Sequence, residues 1–146
     1  MIRPATPEDL PLLVDIWLRA SCQAHDFIPA EFWEARAEEM ARDYLPSAEV
    51  HVLDVGDRVI GFAALDGDHL EALFVDPGVQ SYGHGTRLMA HAMEHHASIT
   101  LRVYSRNVRA VSFYLRLGFQ ACGEREDPRT GERETLMRWT RQQGSA

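Results

Sequence analysis

Residues Val75 to Leu88 read V-D-P-G-V-Q-S-Y-G-H-G-T-R-L. The stretch begins where an apolar run, Leu70 to Val75, gives way to Asp76-Pro77, and it ends in a helical pattern spanning Thr86 to Ala97. A strand that feeds a glycine-bearing loop into a helix start aims several backbone N–H groups at one place. The helix dipole favours an anion there, so a phosphate or pyrophosphate is the natural occupant. A Cβ at Gly83 or Gly85 would hold such a ligand away from the backbone. Two common nucleotide loops fail on their own requirements. A Walker A loop needs Gly-Lys-Ser/Thr after its gap; Gly78 and Gly83 have the spacing, but His84-Gly85 follow. The dinucleotide fingerprint needs a third small residue three after the second glycine, and Leu88 stands there. A plain strand-to-helix turn is the reading without a ligand.

A second pattern with chemical potential is His91-Ala92-Met93-Glu94-His95, which matches the inverted zinc-protease spacing H-x-x-E-H. Helical phase argues against it. Leu88, Met89, Ala92 and Met93 form the apolar face, leaving His91, Glu94 and His95 on the other side with Arg87. Without a downstream third ligand, solvated histidines are expected rather than a zinc hydrolase, and no metal is assigned.

Q-x-x-G-x-G after an L-x-V-x-P strand end resembles the acyl-coenzyme A loop of the GNAT superfamily of N-acetyltransferases. Asn107 to Phe119 is similar to the other signature of that superfamily, N-x-x-A-x-x-F-Y-x-x-x-G-F, and it follows one helix and one strand downstream. The resemblance covers most of the chain. Within the superfamily, His25-Asp26-Phe27 and His69 to Pro77 resemble the YjaB-type small acetyltransferases.

The resemblance implies an acetyl-CoA-dependent N-acetyltransferase that passes its acetyl group directly, through a tetrahedral intermediate, to a primary amine of a small molecule or peptide. The alternative is a non-catalytic acyl-CoA sensor on the same fold. By resemblance, the Gln80 loop and the backbone of Tyr82, Gly83, His84, Gly85 and Thr86 would cradle the pyrophosphate. The backbone of Leu73 and Val75 would pair with the pantetheine arm, with Val75 N–H near the thioester oxygen as an oxyanion-type donor. Tyr114 would be the general acid, since a phenol of pKa near ~10 suits donation to a thiolate of about 8.5; its plainer role is packing. Asn107 would contact the cofactor arm, cap its helix, or both. For the general base, His69 could act directly and Glu71 through a water. If their strand is regular, both share a face with Leu73 and Val75. Each could equally be a polar residue at the sheet edge, and a free amine could lose its proton to solvent. His25 and Asp26 fall in a region that lines the acceptor side of such enzymes, or they only fix a loop.

These residues need a scaffold. Ile2 and Arg3 offer a first strand, and Thr6-Pro7-Glu8-Asp9 a helix start whose apolar face is Leu10, Leu13, Val14, Trp17 and Leu18. A second helix is expected over residues 30–45, with Trp33, Ala37, Met40 and Tyr44 on one face and Pro46 as its stop. Val50 to Val55 and Val59 to Leu65 form a hairpin about Gly56-Asp57, and Asp66-Gly67 turns into His69 to Asp76. After the Thr86 helix come a strand at Ile99 to Tyr104, a helix over Asn107 to Leu117 closed by Gly118, and two strands, Phe119 to Glu126 and Glu134 to Trp139. The order β-α-α-β-β-β-α-β-α-β-β predicts an α/β (α+β) fold in one domain, residues 1–141, followed by a tail over 142–146. Its sheet is mixed, mainly antiparallel and flanked by helices. The GNAT fold has this order.

Composition sets outer limits. A formal net charge of -7 argues against nucleic acid as a partner, because the arginines of residues 125–141 alternate with glutamates. No apolar stretch approaches ~18 residues, so no membrane partner is expected. Cys22 and Cys122 lack ligand spacing and read as reduced, buried thiols of a cytoplasmic protein, either monomer or homodimer.

Overall fold

The continuous apolar run Val59–Leu65 produces a central strand buried on both faces, whereas the strand Gln120–Glu126 is exposed along its length. The computed structural model describes residues 1–79 and 83–141. Among these, seven strands form one sheet: β1 (Ile2–Pro4), β2 (Glu49–Val55), β3 (Arg58–Asp66), β4 (His69–Val75), β5 (Ser98–Tyr104), β6 (Gln120–Glu126) and β7 (Arg133–Thr140). Their order across the sheet is β1-β2-β3-β4-β5-β7-β6. All neighbours are antiparallel except β4 and β5, which run parallel. The β2–β3 hairpin turns on Gly56 and Asp57 at φ of 59° and 64°, the pair of left-handed residues that a type I′ turn requires.

The helices are α1 (Leu10–Ala24), α2 (Ala30–Glu34), α3 (Ala37–Glu39), α4 (Leu45–Ser47), α5 (His84–Glu94) and α6 (Val108–Arg116). Thr6 N–H donates to Asp9 Oδ2 at 2.8 Å, closing a 3₁₀ turn that leads into α1. The single helix expected over residues 30–45 is broken. α2 and α3 are separate, and Met40–Tyr44 is a π-helical turn leading into α4. Pro46 supplies the reason: its ring would meet the carbonyl four residues back, and a wider turn relieves this, with Leu45 N–H reaching the Met40 carbonyl. The wider turn also changes the phase. Trp33 and Met40 stay buried, but Tyr44 turns outward at 43% exposure, and the helix continues one residue past Pro46. α5 likewise starts two residues before the expected Thr86 and ends at Glu94.

Two cores lie on opposite faces of the sheet. Leu53, Leu65, Leu70, Leu88, Met89, Ile99, Leu101 and Phe119 pack beneath α5 and α6. Leu13, Ile16, Trp17, Trp33, Val52, Phe62 and Ala72 pack beneath α1 and α2. Strand alternation assigns the faces, as Phe62 and Ala64 go one way and Ala63 and Leu65 the other.

β4 departs from this regularity. Ala64 pairs with Ala72 and Leu65 with Leu70, so Glu71 opposes no residue of β3. This bulge corrects the expectation that His69, Glu71, Leu73 and Val75 share one face. Leu70, Leu73 and Val75 all join the α5–α6 core, which puts His69 out of phase with Leu73 and Val75. The β4–β5 ladder covers only His69 with Thr100 and Leu70 with Leu101. Beyond it β5 continues along β7 to Tyr104, while β4 stays with β3 to Val75. The sheet therefore forks.

Candidate active site

A cavity of about 800 Å³ lies in this fork, lined from both faces of the sheet. Glu71, Leu73, Val75, Gly83, His84, Gly85, Thr86, Asn107, Tyr114, His25 and Asp26 all line it, although they come from segments nearly ninety residues apart. His69 is not among the lining residues. Its Nδ1 lies 2.9 Å from Thr100 Oγ1, at the end where β4 and β5 remain paired. Gln80 and Tyr82, and the tail 142–146, fall outside the described residues.

The two glycines at the start of α5 answer different needs. Gly83 caps the helix at φ 79°, in the left-handed region, and a Cβ there would meet nothing within 4 Å. Its requirement is backbone conformation. At Gly85 a Cβ would stand 3.3 Å from Phe113 Cζ, so this glycine also lets α6 approach the first turn of α5. Before the loop, Asp76 holds the strand end. It receives a bidentate pair from Arg19 at 3.0 and 3.2 Å and the N–H of Gly78 at 2.9 Å. The Arg19 guanidinium, aided by Gly78, keeps this buried carboxyl near pKa 2.

Asn107 caps α6 through Oδ1, which accepts the Ala110 N–H at 3.2 Å. With Oδ1 engaged, its Nδ2 faces His25 Nε2 at 3.2 Å and donates to it. The proton of the neutral ring therefore sits on Nδ1. His25 is only 8% exposed, and burial lowers its pKa to about 4, with the Ser21 carbonyl working the other way. Around it stand Phe27, Trp33 and Tyr104, with ring centroids 5.8, 5.2 and 5.1 Å away. The Tyr104 hydroxyl donates to Asp127 Oδ2 at 2.6 Å. The apolar helix face that carries Trp33 marks it as core or cleft wall, and it stands in this wall; Tyr104 carries no such signal. A bond joining residues 82 positions apart leaves no periodic signal either.

Tyr114 projects from α6 toward the other side of the cavity. It is 9% exposed, packs edge-on to Phe113 and Phe119, and its hydroxyl makes no hydrogen bond among the described residues. Burial pushes its pKa above the ordinary tyrosine range, so the hydroxyl holds its proton at neutral pH.

On the outer side of α5, His91 is half-buried rather than solvated. Its ring lies 4.7 Å from that of His51 and 4.6 Å from that of His95. Burial lowers its pKa, and the neighbouring histidines add to the effect. Among the described residues no three potential ligands stand where one metal ion could be held, and no helix is long and apolar enough to cross a membrane.

A forked sheet with an N–H-bearing helix start on one face and an aromatic wall on the other defines a class. Residues 14–141 match the family described as "Acetyltransferase (GNAT) domain", and the chain belongs to that family of N-acetyltransferases, whose co-substrate is acetyl-CoA. The peptidyl-lysine N-acetyltransferase YjaB of Escherichia coli (strain K12) is 36% identical over 137 residues, 93% of this chain and 92% of that protein. The solution structure of apo-form YjaB from Escherichia coli superposes with a TM-score of 0.83 at 33% identity, covering 94% of this chain and 95% of that one. YncA of Salmonella typhimurium, solved with its cofactor acetyl-CoA, shares the fold at a TM-score of 0.70 and 18% identity, covering 100% of this chain and 96% of that one.

Proposed function

We propose that this enzyme transfers an acetyl group from acetyl-CoA directly to a primary amine, with a lysine side chain of a peptide or protein as the favoured acceptor. The observation that carries the reading is the cavity in the sheet fork, lined by Gly83–Thr86 and Tyr114 from one face and by His25, Phe27, Trp33 and Tyr104 from the other. Such a passage lets donor and acceptor meet from opposite sides. The lysine acceptor is supported by the name of the 36% identical relative.

Acetyl-CoA supplies an activated thioester; the chain binds, orients and moves protons. Backbone N–H groups at the start of α5 hold the pyrophosphate. Leu73 and Val75, which line the cavity, would hold the pantetheine arm along the β4 backbone, where an N–H would polarise the thioester oxygen. Tyr114 carries its proton in a dry setting, ready to give it to the leaving thiolate. Glu71, exposed at the bulge and facing the cavity, accepts the amine proton through a water. His69, turned to Thr100, takes no part in that step. Asn107 is committed at both ends, to Ala110 and to His25, and so positions the start of α6 beside the arm. Cys22 is half-buried and Cys122 exposed, so neither is the buried thiol expected; both are free, which supports a cytoplasmic setting.

Thiol release from acetyl-CoA over lysine-containing peptides and small amines tests the reading, with mass spectrometry locating the acetyl group on the acceptor. Peptide acetylation at lysine Nζ is expected. Tight acetyl-CoA binding with no transfer to any amine would instead favour a sensor on this fold, and failure to bind acetyl-CoA would overturn both.

A further inference from the structure

The charges around the cavity are not mixed evenly. Its acids are Asp26, Glu71 and Glu134. Asp26 follows α1, Glu71 sits in the bulge, and Glu134 pairs with Tyr104 across β5 and β7, so it shares the face of the aromatic wall. The α6 wall contributes no acid; its charged lining residues are Arg109 and Arg116. In a chain of net charge -7, that is a local reversal of sign.

Arg106, nearer the acceptor wall, is paired with Glu132 at 3.3 Å. Arg109 and Arg116 have no carboxylate within ion-pair distance among the described residues. Arg109, Phe113 and Arg116 are spaced i, i+4, i+7, which places them on one stripe of α6. The middle residue of that stripe is the ring that packs 3.3 Å from the Gly85 Cβ position, at the first turn of α5. On that stripe Arg109 and Arg116 lie before and after Phe113, and both line the cavity beside the proposed pyrophosphate cradle.

We propose that Arg109 and Arg116 bind the 3′-phosphate of the donor, so that the enzyme selects 3′-phosphorylated coenzyme A over its dephospho form. The inference rests on the acetyl-CoA reading above. In that reading the backbone N–H groups of α5 already serve the pyrophosphate, and the remaining phosphate is a monoester of nearly two negative charges. Guanidinium is well matched to such a group, because its fork of donors meets phosphate oxygens two at a time.

The test measures dissociation constants for acetyl-CoA and acetyl-3′-dephospho-CoA by calorimetry, on the native chain, Arg109→Ala, Arg116→Ala and the double variant. Both side chains are exposed, so the variants are expected to fold, and their melting temperatures check this. A charge-assisted contact at an open site is worth on the order of tenfold in affinity. The native chain should prefer acetyl-CoA by about tenfold or more. Each single variant should lose several-fold on acetyl-CoA and almost nothing on the dephospho compound, and the double variant should bind both alike. Adenosine 3′,5′-bisphosphate should compete with acetyl-CoA on the native chain and lose that ability in the double variant. Equal losses on both donors would move the arginines to the pyrophosphate and overturn the assignment, as would a native chain indifferent to the 3′-phosphate. A native chain that binds neither donor would overturn the acetyl-CoA reading itself.

Discussion

Replacing Tyr114 by phenylalanine separates chemistry from packing more cleanly than any other change at this site. The ring is 9% exposed and lies 5.2 and 5.5 Å, centroid to centroid, from Phe113 and Phe119. Phenylalanine keeps those contacts. The lost hydroxyl has no hydrogen-bond partner among the described residues, so folding stability should change by less than about 0.5 kcal/mol. Alanine, by contrast, would open a cavity and cost about 3–5 kcal/mol. If Tyr114 protonates the leaving thiolate, the phenylalanine variant loses general acid catalysis, a factor of roughly 10²–10⁴ in kcat. Because burial raises the Tyr114 pKa, the hydroxyl stays protonated through the neutral and mildly alkaline range. The loss should therefore be the same from about pH 6 to 9. Thermal unfolding and steady-state thiol release, run on the same preparation, measure both quantities. A folded variant that retains kcat within about threefold of the native enzyme would refute the assignment and return Tyr114 to a packing role.

Other expectations follow from neighbouring groups. His25 titrates near 4 when folded and near ~6.5 when unfolded, so the unfolded chain binds the extra proton first. Its contribution is complete above about pH 6.5 and falls away toward pH 4, by up to about 3 kcal/mol. His25→Gln, which keeps an acceptor for Asn107, should flatten that limb in urea unfolding at pH 4 to 7. Arg19→Ala leaves buried Asp76 without its main partner and should cost about 1–2 kcal/mol at pH 7. Asp76 has a depressed pKa, so its stabilisation is present above about 4 and lost as the pH falls toward 2; the variant's deficit should shrink along that path. Gly83→Ala forces a left-handed backbone on a residue with a Cβ, at about 1–2 kcal/mol, and should weaken acetyl-CoA binding by shifting the start of α5. An unchanged melting temperature and an unchanged dissociation constant would count against that role.

Local order carried most of the fold into the sequence. The apolar residues of β2 and β3 and the Gly56-Asp57 turn are short-range features and appear where the pattern places them, while Pro7 to Asp9 form a 3₁₀ turn and α1 itself starts only at Leu10. The departures are equally physical. Pro46 does not end its helix but widens the turn before it, and Tyr44 swings outward. The bulge at Glu71 left no mark, since the residue is an ordinary strand-edge glutamate until β3 pairs around it.

At the site the division is similar. The glycine loop of Val75 to Leu88 and the run from Asn107 to Phe119 identified the family from residue types alone, because an anion cradle and a capped helix are local devices. The sequence could not say that β4 and β5 part after two residue pairs, that His25 reaches Asn107, or that His69 turns to Thr100. Nor could it show that Phe113, between Arg109 and Arg116, meets the first turn of α5 at Gly85, or that both arginines line the cavity. Backbone chemistry is written in neighbouring residues; the meeting of side chains distant in sequence depends on where the sheet opens, and that is decided only when all its strands have paired.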